Sequence, residues 1–256
     1  MTRMDTQERP SATTRWIPRS WRARIGLFVG IIVAALLAVA AAAGFFDRDP
    51  IRTYGMDGTR KPVAAVYFSG DMGLRFGMGG YVAGALAKAG VPVLGVSSST
   101  AFVTHRTRAE TDAIVADAIR ETLRRTGARH VVVLGQSFGA DMVRVALVHL
   151  PQDLRSKVSA AVLVVPGEAA YFRADPSNFA YHGTPDADAA EARALDWLPV
   201  TCIRGASETD SLCPSLTMPN VQRIVLPGGH FLRNDHDLLV QTILRALRPN
   251  LASGKN

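Results

Sequence analysis

From position 63 onward the chain alternates two patterns. Compact β-branched runs occur at 63–68 (VAAVYF), 91–96 (VPVLGV), 130–134 (HVVVL), 158–165 (VSAAVLVV), 200–204 (VTCIR) and 221–226 (VQRIVL), most of them apolar on consecutive positions, and these predict strands. Such runs suit central parallel strands covered on both faces. Between them, 80–89, 107–126, 138–150 and 236–247 carry apolar residues at helical spacing, for example Ile114, Ala118 and Leu123, or Leu238, Ile243 and Leu247. Strand and helix in alternation predict an α/β domain over residues 62–250, a mostly parallel sheet with helices on both faces. Right-handed crossovers then put ligands at the carboxyl ends of the strands. Residues 166–199 break the rhythm with Ala, Asp, Pro and the aromatics Tyr171, Phe172, Phe179 and Tyr181, which predicts a lid-like insertion.

Ahead of that domain the pattern is different. Residues 26–46, GLFVGIIVAALLAVAAAAGFF, carry no charge over 21 positions. At 1.5 Å per residue this is enough to cross a hydrocarbon layer of roughly 30 Å as a helix. A segment of this kind at 25–46 reads as a transmembrane anchor. Ala41, Ala42 and Ala43 also resemble a signal-peptide cleavage site, which leaves an anchor and a cleaved leader both open. Residues 47–61 read as a linker.

The chain carries 29 Lys and Arg against 22 Asp and Glu, a formal charge of +7. Residues 1–24 hold Arg3, Arg9, Arg15, Arg19, Arg22 and Arg24 against Asp5 and Glu8, which accounts for +4 of it. The excess therefore marks a basic tail beside the apolar run. By the positive-inside bias that tail is cytoplasmic, and the domain beyond a single pass is exported. The rest of the chain has no Lys/Arg block interleaved with aromatics, so nucleic acid is excluded as a partner. The two cysteines, Cys202 and Cys213, lie in the exported part, where an oxidising compartment permits a disulfide; two independent buried thiols are the alternative. They are too few for a metal site, and no cofactor is expected.

The chemistry centres on Gly135-Gln136-Ser137-Phe138-Gly139, placed after the strand HVVVL and before the helical ADMVRVALVHL. A G-x-S-x-G alone is weak, but strand before and helix after make the context of a nucleophile elbow. A serine hydroxyl needs a base, and the base an acid to hold its tautomer. His230, in Pro227-Gly228-Gly229-His230-Phe231 after the last strand, fits the base. In the loop after VTCIRG the acid is Asp210 first and Glu208 second. An oxyanion hole needs the N–H after the nucleophile, on Phe138, and one from the loop after an early strand, assigned to Asp71 with Gly70 its neighbour. Carboxylates able to meet a cationic substrate are Asp71 and Asp141, with Glu168 a weaker third.

Several of these pieces together resemble the bacterial virulence protein family represented by VirJ and the C-terminal domain of AcvB. They are FSGDMG at 68–73, GVPVLGV at 90–96, GQSFGADM at 135–142, CIRGASETDSLCP at 202–214 and PGGHF at 227–231. Gln136 stands where the family elbow has tyrosine and Met72 where it has glycine. The resemblance implies a periplasmic α/β-hydrolase fold and, for AcvB-like members, hydrolysis of lysyl-phosphatidylglycerol to lysine and phosphatidylglycerol. It also links VirJ-like members to type IV secretion, hence to a membrane phospholipid substrate or to a secretion-system or secreted-protein partner. The residues by themselves reach only a serine hydrolase with an anchor, leaving a generic esterase or acyltransferase and a non-catalytic adaptor as alternatives.

Overall fold

The structure is a computed structural model that describes residues 19–44, 46–177 and 181–253. The basic tail over 1–18 and Phe179 of the insertion therefore lie outside the described residues. The chain divides into two units, Met1–Ala40 and Ala41–Asn256. In the first, helix α1 (Arg19–Ala43) begins within the expected basic tail. Its window Ser20–Val39 has a mean hydropathy of 2.1 and is, among the described residues, the one helix long and apolar enough to cross a membrane.

The second unit is built on a seven-stranded sheet. Its strands are β1 (Ile51–Tyr54), β2 (Val63–Phe68), β3 (Val93–Val96), β4 (His130–Gln136), β5 (Val158–Val164), β6 (Val200–Gly205) and β7 (Val221–Leu226), in the order β1-β3-β2-β4-β5-β6-β7. All pairings are parallel except that of β1 with β3. The helices are α2 (Gly79–Lys88), α3 (Ser98–Ala101), α4 (Arg108–Thr126), α5 (Phe138–Val148), α6 (Gln152–Arg155) and α7 (His236–Ser253).

All six residues of β2 are buried, and their side chains alternate between two cores. Ala64, Val66 and Phe68 join Val131 and Val133 of β4 against Val115 and Ile119 of α4 and Met142 and Leu147 of α5. Val63, Ala65 and Tyr67 join Val132 and Leu134 against Val82 and Leu86 of α2 and Leu239 and Ile243 of α7. A strand sandwiched this way has no polar face, which is why it reads as a continuous apolar run. Helix α4 starts where its sequence provides a capping box: Glu110 N–H donates to Thr107 Oγ1 at 3.2 Å and Thr107 N–H donates to Glu110 Oε2 at 2.7 Å. It ends at Gly127, whose left-handed φ of 61° costs a glycine little.

One expectation changes. The segment 47–61 is not only a linker, because Ile51–Tyr54 forms β1, antiparallel to β3 with Ile51 opposite Val96. As a four-residue edge strand that places Arg52 between Ile51 and Thr53, it has no apolar run to betray it. The insertion at 166–199 packs closely onto the domain. Phe172, Ala187, Ala192, Leu195 and Leu198 sit in the same core as α4 and α5. Arg144 of α5, 1% exposed, donates to the carbonyls of Asp188 at 2.8 Å and Glu168 at 3.0 Å, so a buried guanidinium holds the insertion at two points.

Cys202 of β6 and Cys213, which opens a short 3₁₀ turn, are joined by a disulfide with Cα atoms 5.5 Å apart. Closing a loop of this size stabilises the fold by about 3 kcal/mol in the chain-entropy model. Replacing both cysteines by alanine should therefore lower the unfolding free energy by about that amount, measured by chemical denaturation under non-reducing conditions; an unchanged midpoint would refute the assignment.

Candidate active site

Ser137 stands between the end of β4 and the first turn of α5 with φ 51° and ψ −125°, a conformation L-residues seldom adopt. The flanking glycines make it accessible. A Cβ on Gly135 would lie 2.4 Å from the Gly139 carbonyl oxygen and 2.6 Å from Ala140 N, and one on Gly139 would lie 2.3 Å from the Ser69 oxygen. No larger residue fits either place. The turn is tied down by Ser137 N–H donating to the Val164 carbonyl of β5 at 2.8 Å, and by the Ser137 carbonyl accepting from the N–H groups of Ala140 and Asp141. The side chain that results projects above the sheet, with Oγ 2.7 Å from His230 Nε2.

His230 arrives on the loop after β7. Its other nitrogen, Nδ1, is 2.8 Å from Glu208 Oε1. A carboxylate oxygen accepts, so Nδ1 carries the proton and Nε2 is left to accept from the serine. The glutamate side chain is 4% exposed, and its second oxygen accepts from Gly205 N–H at 2.7 Å, which fixes both ends of the carboxylate. The carboxylate that the structure brings to His230 is thus that of Glu208, and the side chain of Asp210 is not hydrogen-bonded to it. The reason is local: Ala206 N–H donates to the Leu226 carbonyl and Ser207 N–H to the Gly228 carbonyl, so the loop after β6 is laced to the histidine loop just ahead of Glu208. Asp210, two residues on, is exposed and its backbone oxygen accepts from Glu168 N–H. It still acts through space. The hydrogen bond from Glu208 is the largest cause that raises the His230 pKa above its usual value; the charges of Glu208, Asp210 and Asp141 add to it, against the opposing effect of burial.

On the other side of Ser137, a Cβ on Gly70 would lie 3.6 Å from Ser137 Cβ, so the loop after β2 passes beside the nucleophile. Phe138, in the first turn of α5, is among the positions whose N–H has no acceptor within the helix. The Phe138 ring packs edge-on to Phe102 and stacks 6.4 Å from Tyr181, which in turn lies 5.7 Å from Tyr171. Tyr181 hydroxyl donates to Asp71 Oδ2 at 3.1 Å, joining the insertion to the oxyanion-side loop. The insertion thus supplies an aromatic wall beside the serine. Its aromatics are visible in the sequence, but nothing local says which of them meet the elbow.

The other two carboxylates have structural duties. Asp141 is buried, accepts from Gly167 N–H at 3.0 Å and lies 3.5 Å from Arg144 Nε. Burial pushes its carboxyl up to about 7 against the opposing pull of Arg144 and Gly167, so it is no fixed negative charge for a substrate. Glu168 uses its N–H on Asp210 and its carbonyl on Arg144, and its Oε1 faces Ser215 Oγ at 3.5 Å. Among the described residues no cluster of three potential metal ligands occurs.

The fold has counterparts among solved structures. Est1E from Butyrivibrio proteoclasticus superposes with a TM-score of 0.56 at 15% identity, over 79% of this chain and 93% of that one. An alpha-beta serine hydrolase homologue from Coxiella burnetii gives 0.56 at 14%, over 77% and 90%. Carboxylesterase CesB from Bacillus subtilis gives 0.52 at 15%, over 77% and 86%. At such identities the likeness establishes the fold, that of the α/β-hydrolases. No curated protein sequence matches the chain. The family described as bacterial virulence protein (VirJ) matches over residues 62–251.

The raised His230 pKa fixes the direction of a pH profile. If His230 is the base, kcat/KM of an ester substrate falls as pH drops through a value above the usual 6.5, because a protonated Nε2 accepts nothing. Glu208→Gln should move that limb down and cost roughly 10³–10⁴-fold in kcat. Asp210→Asn should cost less than about tenfold. A larger loss at position 210 than at 208 would reverse the assignment.

Proposed function

The chain belongs to the bacterial virulence protein (VirJ) family, and from that premise we propose that its α/β-hydrolase domain is a serine esterase tethered to the bacterial inner membrane and facing the periplasm. The substrate proposed is the aminoacyl ester of lysyl-phosphatidylglycerol. The observation that carries the esterase reading is the unbroken relay from Ser137 Oγ to His230 Nε2 at 2.7 Å and from His230 Nδ1 to Glu208 Oε1 at 2.8 Å.

In the reaction, Oγ attacks the ester carbonyl while Nε2 takes its proton, and Glu208 stabilises the imidazolium that forms. The Phe138 N–H and a donor from the Gly70–Asp71 loop meet the developing oxyanion. His230 returns the proton to the departing glycerol oxygen, which leaves a lysyl-serine ester. Water, deprotonated by the same nitrogen, releases lysine. Support for a cationic acyl group comes from Asp71 and from the rings of Phe138, Tyr171 and Tyr181, since a carboxylate and aromatic faces are the surfaces an ammonium prefers. The apolar helix supports a substrate that never leaves the bilayer, and the arginines ahead of it support an exported domain.

Purified full-length protein should label at Ser137 with a fluorophosphonate and release lysine from lysyl-phosphatidylglycerol in vesicles, and Ser137→Ala should do neither. Asp71→Asn should slow the lysyl ester about tenfold more than a neutral alanyl ester. Labelling without lysine release leaves a general esterase. Absence of labelling in folded protein favours the adaptor for secreted proteins.

A further inference from the structure

We propose that the carboxyl end of the sheet is a membrane-docking face, whose loops seat exposed apolar side chains in the interfacial layer of the bilayer. This rests on the membrane-tether part of the reading above and not on its chemistry.

The first argument is where the chain joins the domain. Because β1 runs against β3, its first residue, Ile51, pairs with Val96, the last residue of β3. The Pro50 carbonyl accepts from Ser97 N–H at 2.7 Å, and Asp47 bridges Arg52 at 2.5 Å and Arg75, of the loop after β2, at 3.0 Å. Residues 47–50 are thereby fixed at the end of the sheet that carries Ser137. Between Ala43, where α1 stops, and Ile51 lie only residues 44–50. Fully extended they span at most about 25 Å. A unit of this size is roughly 40 Å across. So short a tie, attached at the carboxyl end, does not let the amino end of the sheet reach the surface that holds the tether.

The second argument is the distribution of apolar side chains. Beyond α1, Phe46, Met72, Phe76, Val103 and Phe231 are large, apolar and exposed, Phe231 by 71%. Phe46 precedes β1, Met72 and Phe76 follow β2, Val103 follows β3 and its short helix, and Phe231 follows β7 next to His230. Tyr81 and Val225, the other two of this kind among the described residues, sit on a helix and on the edge strand. Exposed apolar residues gathered on one end, around a catalytic cleft, mark an interaction surface. The same rim exposes charges of both signs, Arg48 and Arg233 beside Asp49 and Asp235. Apolar insertion, and not attraction to one sign of headgroup, is therefore what holds it to lipid.

The full chain reconstituted in phosphatidylcholine/phosphatidylglycerol vesicles provides the test. A tryptophan is introduced at the rim (Phe231→Trp) or at the opposite end, ahead of β5 (Lys157→Trp). Quenching by acyl-chain-brominated lipid is read above the signal of the parent protein. The reporter at 231 should be quenched at least about twofold more than that at 157. Adding Phe76→Glu and Val103→Glu, with circular dichroism to confirm folding, should abolish the difference. Equal quenching at the two ends, or a difference untouched by the two glutamates, would overturn the proposal. Quenching reads orientation whether or not the site hydrolyses esters, so docking and chemistry fail separately.

Discussion

The site depends on one strained residue. Holding Ser137 at φ 51°, ψ −125° costs of order 1–3 kcal/mol, and the strain persists because three backbones close on it. Gly139 lets α5 approach the carbonyls at the end of β2 to within what would be 2.3 Å of a Cβ, Gly135 lets β4 pass under the first turn of the helix, and β5 accepts the serine N–H. Each contact joins the elbow to a central strand buried on both faces. The core therefore holds Ser137 in place.

His230 and Glu208 rest on a second close approach of the same kind. A Cβ on Gly205 would meet the Gly229 oxygen at 2.3 Å, so the end of β6 lies directly against the turn that presents His230. That contact and the two backbone hydrogen bonds beside it set the distance between the imidazole and the carboxylate. The disulfide acts on this loop from its far side, tying Cys213 back to Cys202 within β6. The span between them contains Glu208, whose orientation thus depends on strand pairing at one end and a covalent link at the other.

These contacts explain what the sequence could disclose. Buried strands betray themselves by apolar runs, and Ser137 and His230 by glycines that allow close packing or a left-handed turn. The Ile51–Tyr54 edge strand gives no such sign, since only one neighbour covers it. The choice between Glu208 and Asp210 was closed to sequence reading because it turns on two hydrogen bonds to the histidine loop, a non-local fact. Asp141 and Glu168 both sit near the carboxyl ends of strands, as a ligand would, and buried Arg144, an ordinary helical position in the sequence, lies 3.5 Å from the Asp141 carboxylate and donates to the Glu168 carbonyl, pairings that no local pattern announces.

On the esterase reading, the electrostatic setting of His230 bears on the charge of the ester that suits the site. Glu208 and Asp210, and Asp141 in its ionised form, favour the protonated imidazole, so each stabilises the imidazolium of the transition state and also lowers the fraction of free protein with a neutral base. A neutral ester leaves that conflict unresolved. A substrate carrying positive charge lowers the imidazole pKa as it binds, restoring the neutral base when the ester is in place. As the proton then moves to Nε2, the nearby carboxylates still stabilise it. On that reading a cationic ester brings more of the imidazole to its neutral form as it binds, and the pH dependence differs between the free and the occupied site.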